Sequence, residues 1–378
     1  MATDIQTFAQ IQTVDQFNDS AEIANYGANY NIILTVFPIA AHVSALRVPN
    51  PDVPIYIFFN PYFGFGDRFY IPPGNTSDRD QAILDYGMVK TDDSIMPYAF
   101  DADTPLMDVT NSDWQDHASA QILKYTLASG ADGAFIDTIP EDIPLVIVVP
   151  ELPKNYVEAT WIAESISFLD HVLAEMGSIP TLTNTGTRAV SDALPIPNAT
   201  IRSRNIAGET IEAFGVEDPI DESTTNLEWY INQTILNDLA SISTNQIVLI
   251  EVTATSDSED MRLYALCGYL LKSNSNTYFY FTTVTDHSTN TIWRSEWDTK
   301  IGAPSSSSVQ HASGIHYREF ENGLTMVNAT SGELSMDISG IHSEWRHWNG
   351  RDALTTITLP AHSGKLLLKG SEPKTSWR

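Results

Sequence analysis

The sequence feature that most constrains the fold is a repeated alternation of short apolar runs with longer amphipathic segments. Seven apolar runs are bounded by turn-forming residues: 31–37, 53–60, 133–138, 180–185, 210–215, 246–254 and 277–283. Such runs are typical of buried parallel strands, and the amphipathic segments between them are typical of helices that cover a sheet. We expect residues 5–11 to supply an eighth strand, with 95–101 as the alternative. Eight units of this kind favour an α/β fold with a closed (β/α)8 TIM barrel over an open doubly wound sheet.

Residues 112–130 illustrate the helical signals. Ser112 and Gln115 have capping-box spacing at the start, and Gly130 stands where a helix commonly ends. Apolar side chains recur at steps of three or four residues in this segment and again over 159–177. Both segments are therefore predicted to be helices with one buried face.

The pattern changes after about residue 300. Short strand-like runs follow one another there, separated by Gly, Asn, Ser and Pro and without a helical period. The excess of acidic residues also ends at this point, because residues 305–378 carry equal numbers of acidic and basic side chains. We therefore expect a barrel over 1–304 and a small C-terminal antiparallel β-sandwich over 305–378, joined through a serine-rich linker at 302–308.

The net charge narrows the classes of partner. The chain carries 48 acidic against 20 basic residues, a formal charge of −28. A nucleic-acid partner is not expected, because binding a phosphate backbone requires Lys and Arg patches. No apolar run is long enough to span a membrane, and the N-terminus lacks the basic and apolar regions of a signal peptide. A soluble protein is expected, either cytoplasmic or associated with a virion.

The candidate functional residues stand at the ends of the predicted strands. In a (β/α)8 barrel the active site is built at the carboxyl ends of the strands. Asp137 is the clearest candidate, because the buried run before it delivers a carboxylate to the barrel mouth. The other strand-end or loop candidates are Asn60, Tyr62, Asp108, Asn184, Glu212 and Glu251.

Two carboxylates that face one cavity are the equipment of glycoside hydrolysis. For any single acid, a position in a solvated surface loop is the competing interpretation. Other chemistries find less support, since the sequence has no HExxH motif, no G-x-S-x-G elbow and no Gly-rich phosphate loop after a strand. Cys267 is the only cysteine, and its apolar helical surroundings indicate a structural thiol. We expect no metal and no organic cofactor.

Residues 107–139, "MDVTNSDWQDHASAQILKYTLASGADGAFIDTI", resemble a segment of uncharacterised glycoside-hydrolase (β/α)8 barrels, the hypothetical glycosyl hydrolase group. The similarity continues in order and spacing through "IPTLTNTG", "ETIEAFG", "YALCGYLL" and "HYREFENGLTMVNAT". That group resembles endo-α-1,4-polygalactosaminidases and, more distantly, retaining α-galactosidases. The resemblance implies an acid after strand four as nucleophile and one after strand six as acid/base, which are Asp137 and Glu212 here.

The leading hypothesis is therefore a glycoside hydrolase that cleaves a polysaccharide or surface glycan by a retaining two-carboxylate mechanism. Asp137 and Glu212 would be catalytic, and Asn60, Tyr62, Asp108, Asn184 and Glu251 would bind substrate. The alternative is a carbohydrate-binding or structural protein on the same barrel without turnover, such as a virion or tail component. Assembly into a larger particle or a homo-oligomer is compatible with either hypothesis.

Overall fold

A computed structural model describes the barrel strands, most of the helices and the C-terminal sheets. The described residues are 5–11, 20–36, 39–61, 76–97, 105–137, 152–154, 156–184, 204–211, 246–254, 257–283, 293–342, 344–349 and 355–370. They divide into two compact units: the described residues from 9 to 211, and residues 5–8 together with those from 246 onward.

Eight strands form one sheet in chain order, which is the order of a (β/α)8 barrel. The strands are β1 Phe8–Ile11, β2 Ile32–Thr35, β3 Ile55–Phe59, β4 Gly133–Ile136, β5 Thr181–Asn184, β6 Gly208–Ile211, β7 Ile247–Ala254 and β8 Thr277–Thr283. Neighbouring strands pair in parallel, and a parallel bridge from Thr7 to Phe279 joins β8 to the residue before β1. The predicted barrel is confirmed, with its first strand in the preferred 5–11 segment. Residues 95–97 make only isolated antiparallel bridges.

Six α-helices are described between and after these strands. They are α1 Ser20–Asn29, α2 Ala40–Arg47, α3 Thr76–Tyr86, α4 Ser112–Ser129, α5 Glu158–Met176 and α6 Glu259–Leu270. Trp114, Ile122, Trp161 and Phe168 lie on the buried faces of α4 and α5, as the helical periodicity predicted.

The start of α4 corrects the predicted capping box. The N-cap is Asn111, one residue before Ser112, and its side chain accepts a hydrogen bond from the Asp113 amide. Asparagine caps helices well because its short side chain reaches the second or third backbone N–H of the first turn. Gln115 instead donates to the Val109 carbonyl, 2.7 Å away. The predicted end at Gly130 is confirmed, because this residue adopts the left-handed conformation with φ 71°.

The C-terminal residues form two antiparallel sheets. One has the order β13-β15-β11-β10-β9 and the other pairs β12 with β14. Their strands are β9 Val309–Gln310, β10 His316–Glu319, β11 Gly323–Asn328, β12 Leu334–Asp337, β13 Trp345–His347, β14 Thr356–Leu359 and β15 Ser363–Lys369. Both sheets contribute to one apolar core that includes Met326, Met336, Trp345 and Ile357. The predicted sandwich is confirmed, whereas the division of the chain at residue 304 stays a prediction.

Candidate active site

The segment that leads to Asp137 is fixed at its start by a hydrogen-bond network around Asp132. One carboxylate oxygen of Asp132 accepts hydrogen bonds from the Ile55 amide and from Arg47, each at 2.7 Å. Arg47 also donates to the Gly130 carbonyl at 2.8 Å. These contacts align β4 with β3 before the strand begins.

Gly133 sets how closely β4 approaches its neighbours. A Cβ atom at this position would lie 2.1 Å from the Pro180 carbonyl oxygen and 2.8 Å from the Tyr56 ring. Glycine is therefore required for β4 to fit beside β3 and the start of β5. The following residues, Ala134 to Ile136, are fully buried.

The register of three parallel strands brings their terminal polar residues to one level. The ladder pairs Phe59 with Ile136, and the Asp137 amide continues it by donating to the Phe59 carbonyl at 2.8 Å. The next ladder pairs Ile136 with Thr183, so Asp137 follows β4 beside Asn184. Asn60, Asp137 and Asn184 thus form one row across the ends of β3, β4 and β5.

Both oxygens of the Asp137 carboxylate accept a hydrogen bond from this row. Asn60 donates its side-chain amide to Oδ2 at 2.9 Å, and Asn184 donates to Oδ1 at 2.8 Å. Asn60 is 5% exposed and Asn184 is 1% exposed, whereas Asp137 is half-buried. One amide donor on each oxygen matches the acceptor-only character of an ionised carboxylate.

Several residues that neighbour this row on β3, β4 and β6 were not predicted from the sequence. The Phe58 and Phe135 rings, two residues earlier on β3 and β4, contact each other with centroids 5.2 Å apart. On β6, Thr210 is the register partner of Asn184, and its hydroxyl is buried without a hydrogen-bond partner. Glu209 on the same strand is 1% exposed. A carboxyl buried to this extent was missed because "GET" reads as a polar turn rather than as part of a strand.

The remaining predicted site residues have separate environments. Asp108 accepts hydrogen bonds from the amide and hydroxyl of Thr110, in the turn that precedes α4. Glu251 is 3% exposed on β7, where it pairs in register with Tyr280. Tyr62 and Glu212 lie outside the described residues. Asn60, Asp137 and Asn184 are thus the three predicted residues that the structure shows in direct contact.

Two other kinds of site, a metal centre and a reactive cysteine, lack support among the described residues. No group of three His, Cys, Asp or Glu side chains among them has the arrangement of a metal site. Burial raises the pKa of the Cys267 thiol to about 12, which keeps it protonated and unreactive at neutral pH. Among the helices that the structure describes, none combines the length and apolar character needed to cross a membrane.

Comparison with solved structures finds the same fold in carbohydrate-active enzymes. A noncanonic maltogenic α-amylase, AmyB from Thermotoga neapolitana, is 8% identical, with a TM-score of 0.53 over 99% of this chain and 98% of that chain. An Anoxybacillus α-amylase is 12% identical, with a TM-score of 0.52 over 98% and 99% of the two chains. The catalytic module of the pneumococcal glycogen-degrading factor SpuA is 8% identical, with a TM-score of 0.51 over 98% and 79%. Identities this low show the fold alone.

Comparison by sequence shows the family. No curated protein matches the chain. The model of hypothetical glycosyl hydrolase family 15 matches residues 91–324, which is more than half of the sequence and includes Asp137, Asn184, Glu212 and Glu251. The chain therefore belongs to hypothetical glycosyl hydrolase family 15.

Proposed function

We propose that this protein hydrolyses glycosidic bonds of a polysaccharide or surface glycan, with Asp137 as its ionised catalytic carboxylate. The observation that carries the proposal is the pair of amide donors on Asp137, one on each carboxylate oxygen. Hydrogen bonds to both oxygens favour the charged form, which is the form required of a nucleophile or general base. A general acid must instead hold a proton on one of those oxygens.

In this proposal Glu212 is the proton donor. An oxygen of Asp137 forms a bond to the anomeric carbon while the bond from that carbon to the leaving oxygen breaks. Glu212 gives its proton to the leaving oxygen in the same step. Water then attacks the anomeric carbon, its proton passes to Glu212, and the bond to Asp137 breaks. Protons and electrons balance without a cofactor, and the configuration at the anomeric carbon is retained.

Substrate contacts are assigned to the neighbouring polar residues in this proposal. Asp108 and Tyr62 stand after predicted strand or loop positions of the barrel sequence, as expected for groups that bind sugar hydroxyls. Glu251 lies inside β7 and is 3% exposed, so a bound sugar would not contact it directly. The partner is a glycan, and the net charge of −28 disfavours polyanionic glycans because like charges repel. This activity is compatible with a location on a virion or tail and with assembly into a larger particle or a homo-oligomer.

The experiment is product analysis on a panel of neutral, amino and acidic polysaccharides with the parent protein and two variants. Asp137→Asn and Glu212→Gln should each lower the rate of reducing-end release by about three orders of magnitude, because each removes a group needed for bond cleavage. Asp93→Asn is the matched control, since Asp93 is exposed, with 71% of its side chain accessible. Equal rates for Asp137→Asn and the parent would overturn the proposal.

The configuration of the released sugar is a second test of the same reaction. Proton NMR of the first sugars released should show the anomer of the substrate. Release of the opposite anomer would contradict the role of Asp137 as nucleophile and would make it the base that activates water.

A further inference from the structure

We propose that Asn60 and Asn184 are positioning residues, which hold the Asp137 carboxylate in one orientation, rather than residues that bind substrate. The inference rests on the proposed function for its kinetic consequences. Its structural basis is independent of that function: three residues from consecutive strands meet in one row, and each asparagine donates to a different oxygen of one carboxylate.

Burial distinguishes positioning from substrate binding. Asn184 is 1% exposed and Asn60 is 5% exposed, so a sugar ring that contacts Asp137 meets neither amide directly. Asp137 is half-buried and keeps an accessible part. The two asparagines therefore hold the Asp137 carboxylate from the neighbouring strand ends, one on each oxygen.

The chemistry of the donors preserves the charge of Asp137. An asparagine amide is neutral and does not titrate, so it orients a carboxylate without forming an ion pair. A lysine or arginine in the same place would stabilise the carboxylate as an ion pair and reduce its tendency to attack a carbon centre. Hydrogen bonds to a charged acceptor are stronger than those between neutral groups, so two of them restrict rotation about the side-chain torsions of Asp137.

The backbone supports the same orientation. The Asp137 amide donates to Phe59, and the Asp132 network fixes the opposite end of β4. The contacting Phe58 and Phe135 rings occupy the preceding level on the same face of β3 and β4. Asn184 is the last residue of β5 and Asn60 directly follows β3, so strand ends hold both asparagines, and sites built on strands orient a catalytic group more accurately than sites built on loops.

The kinetic test compares Asn60→Ala and Asn184→Ala with the parent on a glycan that the parent cleaves. Displacement of a reacting group by about 1 Å costs roughly 100-fold, so kcat should fall by about 10- to 100-fold while KM changes by less than about threefold. The matched control is Thr183→Val, which is almost isosteric and removes a buried hydroxyl that has no partner. It should leave kcat unchanged. A rise in KM with unchanged kcat would show substrate binding and overturn the inference.

Asn184→Asp is a conservative variant, and the pH dependence of its activity distinguishes positioning of Asp137 from a purely structural role. Its activity should recover as the pH falls, because a protonated aspartate donates one hydrogen bond as the asparagine does, whereas the ionised form repels Asp137. A pH profile parallel to that of the parent would contradict the positioning role.

A measurement without substrate keeps the inference testable if no glycan in the panel is cleaved. Carbon-13 NMR titration of the Asp137 carboxyl, assigned with Asp137→Asn, should give a higher pKa in Asn184→Ala than in the parent, because the anion has lost a donor. Thr183→Val should leave that pKa unchanged. Equal pKa values in the parent and Asn184→Ala would overturn the inference.

The failure of the proposed function and the failure of the positioning role are distinguishable. If Asp137→Asn keeps full activity, the proposed function fails. If Asp137→Asn is inactive and the alanine variants keep full kcat, only the positioning role fails.

Discussion

Asn184 on β5 donates its side-chain amide to Oδ1 of Asp137 after β4, with 2.8 Å between the two atoms. The contact joins residues 47 positions apart in the sequence, and it exists because adjacent parallel strands end at the same level. The position of Asp137 therefore depends on the alignment of β4 with its neighbours as well as on its own hydrogen bonds.

Gly133→Ala should destabilise the protein and reduce activity together. The added Cβ would meet the Pro180 carbonyl and the Tyr56 ring, so β4 must move away from its neighbours. We expect a loss of about 1–3 kcal/mol, as for other overpacked core sites. Thermal unfolding followed by circular dichroism measures it.

Gly268→Ala provides the control for that experiment. Gly268 lies within α6, and nothing stands within 4 Å of an added Cβ. Alanine in a helix interior is favoured over glycine by about 1 kcal/mol, so this variant should unfold at a higher temperature than the parent. Destabilisation of both variants by the same amount would remove the steric explanation.

Arg262→Met should be costly because it leaves a buried carboxylate unpaired. Arg262 donates to Glu296 at 2.5 Å and to Asp257 at 2.6 Å, and the Glu296 side chain is 2% exposed. Removal of one member of a buried ion pair costs about 3–5 kcal/mol, whereas the exposed Lys154–Asp93 pair should contribute less than about 1 kcal/mol. Urea unfolding of Arg262→Met beside Lys154→Met compares the two losses. The double variant Arg262→Met, Glu296→Leu should recover much of the loss, and failure to recover it would contradict the explanation.

His316 should make the protein less stable in mild acid. Burial, with a smaller contribution from Lys272, lowers the pKa of His316 from its usual value of 6.5. As the pH falls below about 6.5, the unfolded chain takes up a proton that the folded chain does not, so the free energy of unfolding decreases until the folded pKa is reached. His316→Gln should therefore show a smaller decrease between pH 7 and 5 in urea titrations. Burial also lowers the pKa values of His42 and His362, so part of the decrease should persist.

The sequence predicted those parts of the fold that depend on local pattern. Strands β2, β3, β4, β5, β7 and β8 lie within the expected apolar runs, because buried parallel strands are almost continuously apolar. Strand β6 begins two residues earlier than expected, at Gly208, because pairing of Gly208 and Glu209 with β5 overrides their turn-like character. Strands β9 and β13 have only two and three residues, which are too few to show alternation in the sequence.

The sequence identified residues of the candidate site but not the hydrogen bonds between them. Asn60, Asp137 and Asn184 were identifiable as strand-end residues, since parallel strands end at one rim of a barrel. Their mutual hydrogen bonds depend on register, which the Asp132 network and the close fit of Gly133 determine through contacts distant in sequence.

The most direct test of the account is the rate at which Asp137→Asn releases reducing ends from a glycan that the parent cleaves. The substitution replaces a charged oxygen with an amide of nearly the same size, so it changes the chemistry of the group more than its packing. The account predicts a loss of about three orders of magnitude in kcat with the thermal unfolding midpoint little changed. A folded Asp137→Asn variant with the kcat of the parent would contradict it.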